Sequence, residues 1–391
     1  MARLGDVCEK VTDYVASGSF AALKENVLIT NEENYAIMVK TADFANGFTK
    51  GLTYTDKHGY DFLRNSNLFG GELILSNIGS IGKVFKVPYL DRPMTLASNT
   101  VMIKTATPEL TDYLYYYFLS PAGYKNLLSI SSGTSMLKFN KTELKKLDVP
   151  VPNIDMQRRI ISVMDKVSEL IALRKEQLAK LDELVKARFV EMFGDAVSNE
   201  KGWPLATLAE IAEIKIGPFG SLLHKEDYKT GGHALVNPSH IIGGKIVTDE
   251  NLTIDDAKYA ELSAYHLYPG DIVMGRRGEM GRCAVVYQNG LLCGTGSLII
   301  RPNERMKPYF LQSILSSPTY KKVIEDKAVG VTMMNLNVPI VSELTVPLLP
   351  VDLQERFVEF MAKIDETKLT IQSSLDKLVV MQKALMQEYF G

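Results

Sequence analysis

Three cysteines in 391 residues are too few and too scattered to act as a scaffold. Cys8, Cys283 and Cys293 form no Cys-x-x-Cys pair and leave an odd thiol. That excludes a disulfide framework and a cysteine-based metal site, and it fits a reducing cytoplasm. No apolar run reaches membrane-spanning length and the N-terminus has no signal-peptide core, so neither export nor anchoring is expected. A charge excess is missing as well. Lys and Arg number 44 against 46 Asp and Glu, and the balance holds locally, with 16 basic and 15 acidic groups in residues 1–148 and 15 and 16 in residues 200–345. A nucleic-acid-binding domain normally carries a basic excess, so composition argues against one or confines such a surface to a patch or to one shared with a partner.

Catalytic signatures are also lacking. No Gly-x-Gly-x-x-Gly follows a strand with an acidic residue at the right distance, no Walker lysine motif occurs, and no Gly-x-Ser-x-Gly elbow places a nucleophile. His224, His233 and His240 fall within 17 residues near Asp227, but without the ligand spacing of a metal site. Asn237-Pro238-Ser239-His240 approaches the Asn-Pro-Pro-aromatic motif of amino-methyltransferases, yet its second proline and its aromatic are missing. No catalytic residue, no metal and no nucleotide or S-adenosylmethionine site is expected in this chain.

What the chain does have is an internal duplication. Residues 149–194 recur as 346–391 at a constant offset of 197, with Val149, Pro150, Asp155, Gln157, Arg159, Lys180, Lys186, Glu191, Phe193 and Gly194 matched by Val346, Pro347, Asp352, Gln354, Arg356, Lys377, Lys383, Glu388, Phe390 and Gly391. Each copy opens on prolines and then contains neither proline nor glycine until its last residue, which reads as one helix of roughly 40 residues, on the order of 60 Å long. An apolar stripe steps by four and three through Ile160, Met164, Val167, Ile171, Leu178 and Leu181, and in the same phase through Phe357, Met361, Ile364, Ile371, Leu375 and Leu378. This is a coiled-coil seam. Arg174 and Arg188 interrupt the first copy and Lys368 the second, at different levels, which favours pairing of one helix with the other over self-pairing. The plainer alternative is two amphipathic helices packed on separate globular cores.

The intervening stretches resemble each other too. Each opens with a short helix (Leu4-Gly5-Asp6-Val7, Leu208-Ala209-Glu210-Ile211) and a small-residue loop (Ser17-Gly18-Ser19-Phe20, Gly217-Pro218-Phe219-Gly220-Ser221). A short strand follows (Ile37-Met38-Val39, Ala234-Leu235-Val236). The clearest match sets Gly71-Glu72 with its strand and Gly79-Ser80-Ile81-Gly82-Lys83 beside Gly270-Asp271 with its strand and Gly278-Glu279-Met280-Gly281-Arg282, in each case a hairpin with an exposed apex. A further strand is expected at 101–104 and 297–301, and a helix at 110–119 and 308–315. Each stretch closes on Gly133-Thr134-Ser135-Met136-Leu137-Lys138 or Gly330-Val331-Thr332-Met333-Met334-Asn335. The expected layout is residues 1–148 and 199–345 as two α+β (mixed α/β) globes, each followed by a long helix region, 149–198 and 346–391.

The hairpin apices carry the only suggestive polar chemistry. Arg276 and Arg277 at one tip and Asn77 at the other are residue types that pair with guanine and adenine edges, and Lys83, Lys138 and Arg282 lie beside them as candidate DNA contacts. The alternative for each is a solvated turn residue.

The order of these features resembles the specificity subunit of type I restriction-modification systems, and the resemblance covers essentially the whole chain. It rests on two similar globes with Gly-Asp/Glu, an apolar strand and Gly-x-x-Gly, each followed by Val-Pro, Gln157 or Gln354, and a long helix ending in Phe-Gly. The resemblance implies two target-recognition domains, each reading half of a bipartite, asymmetric site in double-stranded DNA. It also implies that the long helices pair as an antiparallel coiled coil in a pseudo-twofold body, set the spacer and bind two modification subunits. S-adenosylmethionine and catalysis then belong to those partners, and a motor-nuclease restriction subunit completes the complex. Neutral globes depart from this pattern. Two other readings stay open, a stand-alone DNA methyltransferase and a duplicated scaffold without DNA binding.

Overall fold

The computed structural model describes residues 1–79, 81–133, 136–219, 222–328 and 335–391. Of the loops singled out above, Ser80, Thr134, Ser135, Gly220, Ser221 and 329–334 lie outside that set. The chain divides into two compact units, Met1–Glu176 with Gln372–Gly391, and Gln177–Ile371. Each unit thus contains one globe and a portion of both long helices.

In the first unit, strands Cys8–Asp13, Thr100–Thr105, Leu73–Ser76 and Val84–Lys86 lie side by side in that order, every neighbour antiparallel. Alternate side chains leave opposite faces of a strand. Leu73, Leu75, Val101 and Ile103 therefore enter a core with the helix Pro108–Leu119, while Ile74 and Met102 enter another with Ile37, Val39 and Leu96. Leu73–Ser76 is buried on both faces, which is why it reads as an unbroken apolar run. The second layer is a smaller sheet ordered Tyr54–Thr55, Ala36–Val39, Met94–Leu96, Asn67–Leu68, with its two central strands parallel.

The second unit repeats this arrangement. Its first sheet runs Ala212–Ile216, Ser297–Pro302, Ile272–Gly275, Cys283–Val285, and its second runs Thr253–Ile254, His233–Val236, Leu291–Cys293, His266–Leu267, again with a parallel central pair. Ile272, Met274, Leu298 and Ile300 face helix Pro308–Leu315, and Val273 and Ile299 face the second sheet. The short opening helices sit at Leu4–Val7 and Leu208–Ile211. The Val-Pro segments form strand pairs, Asp148–Val149 with Ala2–Arg3 and Thr345–Pro347 with Leu205–Thr207.

The long helices span Ile154–Phe193 and Val351–Phe390, 40 residues each. In the first unit Ile160 and Met164 pack with Leu385, Met386 and Phe390, and Gln382 Nε2 donates to Ser168 Oγ at 3.1 Å. In the second unit Phe189 and Phe193 pack on Phe357, and Lys368 Nζ meets Asp182 at 2.5 Å. In both units rising numbers on one helix meet falling numbers on the other, so the pairing is antiparallel. Ile160, Met164, Val167, Ile171, Phe357 and Leu375 are buried, and Leu178, Leu181, Met361, Ile364, Ile371 and Leu378 are half-buried. The Phe-Gly ending also has a physical reason. Phe390 lies against Tyr113 and Tyr117 in the first unit, and Phe193 lies against Phe310 in the second. Gly194 follows in the left-handed region (φ 78°), where a side chain would be strained.

Candidate nucleic-acid interface

Each unit has one sheet end at which three elements converge. In the first unit the strands Leu73–Ser76 and Cys8–Asp13 leave their sheet at this end, since both run antiparallel to the Thr100–Thr105 strand between them. The hairpin turns back through Gly79 and Gly82, with φ of 75° and 86°, which only glycine adopts cheaply. The segment that precedes the closing helix then crosses the apex. Phe139 N donates to Asn77 O at 3.1 Å, Gly79 N donates to Leu137 O at 3.0 Å, and Ile78 bridges Lys138.

The second unit is built the same way. Its hairpin turns through Gly278 and Gly281 (φ 78° and 71°), Leu336 N donates to Arg276 O at 3.0 Å, and Arg277 bridges Asn335. The apex expected to stand free is therefore strapped in both units by a second segment.

This strapping changes the status of the candidate residues. Asn77 is half-buried, and its Nδ2 donates to Phe139 O at 3.1 Å while its Oδ1 is buried without a hydrogen-bond partner among the described residues. One of the two N–H donors of the Asn77 amide is thus committed to the strap. Arg282 is likewise engaged, its guanidinium paired with Glu279 and its Nη1 donating to Pro238 O at 3.2 Å. Arg276 is half-buried and held by Nε donation to Asn335 Oδ1 at 3.0 Å. Burial, followed by the neighbouring Arg277 charge, draws its pKa below the ordinary arginine value. Arg277, Lys83 and Lys138 are exposed, and among the described residues they form no side-chain ion pair.

Local pairing accounts for a cationic surface on a neutral globe. A groove of about 510 Å³ beside the first apex is lined by Asn77, Ile78, Lys138 and Phe20. The carboxylates lining it are Asp13 and Glu143, and both are paired, Asp13 with Lys141 at 2.8 Å and Glu143 with Lys146 at 2.9 Å. Lys138 is left over. At the second apex Glu279 is held by Arg282 first and then by Lys321 at 3.3 Å, which lowers its carboxyl pKa. Arg277 is left over. The average charge of a globe conceals this remainder, because a cation left over at the apex is balanced in the sum by carboxylates elsewhere on the same globe.

The acid of the Gly-Glu/Asp motif lies at the opposite end of the strand and is architectural. Glu72 accepts from Phe69 N at 3.0 Å and Gly70 N at 2.9 Å. Asp271, 2% exposed, accepts from Tyr268 N at 2.8 Å and from Arg301 Nε at 2.7 Å. Asp271→Ala is expected to cost about 2–3 kcal/mol, the loss of charge-assisted hydrogen bonds offset in part because Arg301 keeps access to water. Urea denaturation measures this; a cost under about 0.5 kcal/mol would contradict it.

The histidines do not converge on a metal geometry. His240 Nδ1 lies 2.8 Å from Leu235 O, and His233 stacks on Tyr259 with its Nε2 2.9 Å from Asp256. Among the described residues no group of three or more His, Cys, Asp or Glu is placed to hold a metal ion. No helix is long and apolar enough to cross a membrane, among the residues described. Asn237-Pro238-Ser239-His240 forms a short 3-10 turn after the His233–Val236 strand.

Residues 1–183 and again 200–378 match the family described as the type I restriction modification DNA specificity domain. The specificity subunit of the type I restriction enzyme MjaVIII from Methanocaldococcus jannaschii is 20% identical over 312 residues, 75% of this chain and 72% of that protein. The MjaIX specificity subunit of the same organism is 25% identical over 162 residues, covering 38% of this chain and 37% of its own length. Among solved structures, the type I restriction-modification S subunit from M. genitalium superposes with a TM-score of 0.58 at 15% identity, covering 100% of this chain and 95% of that one. A chain from a study of complex assembly and conformational transition of the type I system gives the same TM-score and identity, with 100% and 96% covered. At such identity these likenesses speak for the fold. The two family matches together span most of the sequence, and the chain belongs to the type I restriction-modification DNA specificity family.

Proposed function

We propose that the chain is the DNA specificity subunit of a type I restriction-modification complex, in which each unit reads one half of a bipartite, asymmetric duplex site. The observation that carries this reading is the duplicated apex, where one scaffold presents different side chains, Arg276 and Arg277 in one unit and Lys138 and Lys83 in the other. Phosphate contacts position a protein on DNA while base contacts specify sequence. Arg277 is suited to direct readout, since a guanidinium can pair with guanine O6 and N7. Lys83 and Lys138 are suited to phosphate. Asn77, Arg276 and Arg282 hold the apex in shape, with the terminal nitrogens of Arg276 also in reach of a base. In this reading the paired helices fix the spacer and carry two modification subunits. Those partners bind S-adenosylmethionine and transfer the methyl group, and the restriction subunits cut. The chain itself holds no catalytic residue, and it works in the cytoplasm.

The test assembles the full chain with its modification subunits and measures binding to duplexes from a library randomised in two segments. Binding should fall steeply with salt and should select two separated half-sites. Arg277→Ala should weaken recognition of one half-site by about 1–3 kcal/mol and leave the other intact. Equal weakening on every sequence would reassign Arg277 to phosphate. Methyl transfer by the isolated chain supplied with S-adenosylmethionine would overturn the reading.

A further inference from the structure

Two aromatic rings at the same sheet ends remain unexplained by this account. Phe20 is 79% exposed and Phe219 is 63% exposed. Phe20 is the first residue of the helix Phe20–Asn26 and Phe219 lies in a loop, each a few residues beyond the first strand of its sheet, Cys8–Asp13 or Ala212–Ile216. Register fixes which end of the sheet that is. Asp13 lies opposite Val101, next to the Thr100 that pairs with Ser76, immediately before the first apex. Ile216 lies opposite Leu298, next to the Ser297 that pairs with Gly275, immediately before the second.

Of the other exposed aromatics, Tyr124 covers Gly82 of the first apex, where a Cβ would meet its ring, and the following lie away from the apex or have a structural task. Phe69 precedes the Leu73–Ser76 strand and Tyr89 follows Val84–Lys86, so both lie at the end away from the apex. Tyr89 also covers the glycine turn, where a side chain at Gly70 would meet its ring at 2.4 Å. Tyr268, the counterpart of Phe69, carries the Arg301 guanidinium 5.0 Å from its ring centroid. Among the described residues Phe20 and Phe219 belong to no core cluster. The residues just before each ring are nonetheless held in place. Ser19 Oγ caps the helix that begins at Phe20, accepting from Ala22 N at 3.3 Å. Gly217 sits so close to Gly294 that a Cβ there would lie 2.2 Å from the Gly294 carbonyl oxygen.

An exposed, positioned phenylalanine is costly in water and favourable against another apolar or π surface. Here the surroundings select the kind of surface. The groove beside Phe20 contains amides and an unpaired lysine, with its carboxylates neutralised by neighbouring lysines, and a duplex polyanion whose major groove presents apolar thymine methyl groups between its phosphates is complementary to that. We infer that Phe20 and Phe219 are a duplicated pair of sequence-determining contacts, each packing its ring against a base of its own unit's half-site. This rests on the DNA-reading function proposed above.

The experiment uses the full chain assembled with its modification subunits and a fluorescent duplex selected by the wild-type complex from the randomised library. Phe20→Ala should lower affinity about ten-fold, the low end of the cost of one lost base contact in a duplex groove. That difference should vanish when the first half-site is scrambled and persist when the second is scrambled. Phe219→Ala should do the reverse. Phe20→Tyr, which keeps the ring, should bind like wild type. Neither alanine variant should alter Tm or the slope of affinity against salt, whereas Lys138→Ala should reduce that slope by about one. An unchanged affinity, an equal loss on all duplexes or a loss accompanied by a lower Tm would each overturn the inference. A wild-type complex that selects no duplex would instead overturn the functional reading itself, and this inference with it.

Discussion

Phe357→Ala is expected to destabilise the second unit by about 3–5 kcal/mol, the cost of emptying a fully enclosed aromatic position. Phe357 is 0% exposed and touches three other rings edge-on, with centroids 5.4 Å from Phe189, 5.5 Å from Phe193 and 6.4 Å from Phe310. These rings come from both long helices and from the globe, so the cavity would open where three elements meet and could not be closed by moving one of them. Phe357→Leu keeps much of the volume and should cost under about 1.5 kcal/mol. Denaturant unfolding measures both, and amide exchange in the Pro308–Leu315 helix should accelerate in the alanine variant. A loss below about 1 kcal/mol for Phe357→Ala would show that the ring cluster relaxes to fill the space.

How much of this was legible in the sequence depended on the distance over which each constraint acts. The helix seam was legible because a stripe at 3.5-residue spacing has one satisfactory interpretation over forty residues without proline or glycine. Hairpin glycines were legible because a positive φ is a local demand. The second sheet was not, since strands such as Tyr54–Thr55 and Asn67–Leu68 are two residues long and carry no period. The hydrogen bond from Asn77 to the strap was not legible, because its partner, Phe139, lies 62 residues away. The engagement of Arg282 was within reach. Glu279 is three residues earlier across a Gly-x-x-Gly turn, close enough to predict the pair. Phe20 and Phe219 stood in plain view at matched positions, but exposure is a tertiary property, and an isolated phenylalanine reads as core until a fold shows otherwise. The neutral globes were silent on the surface for a related reason, because a sum over residues does not say where on the fold each charge lies.

Lengthening both long helices by one turn should move the preferred DNA spacer without changing either half-site. The reasoning treats the helices as the element that sets the separation of the two readers, as proposed above. Four residues inserted after Leu178 and four after Leu375 add roughly 6 Å of helical rise. A base pair rises by about 3.4 Å, so the optimum should grow by one or two base pairs. The insertion points follow seam positions, with Leu178 half-buried and Leu375 buried, so each insert must carry apolar residues that continue the stripe. A four-residue insertion otherwise shifts a 3.5-residue seam and unwinds it locally. The registers to preserve lie on either side of the inserts. Asp182 with Lys368 belongs to one unit and Ser168 with Gln382 to the other, and both pairs should survive. Inserting into one helix alone should fail to assemble, because the partner would then lack four residues of matching seam. The measurement is binding or methylation against a spacer library by the assembled complex, with the wild type alongside. An unchanged optimum in a folded, active double insertion would mean that the helices serve only as attachment surfaces and that the modification subunits fix the distance between the readers.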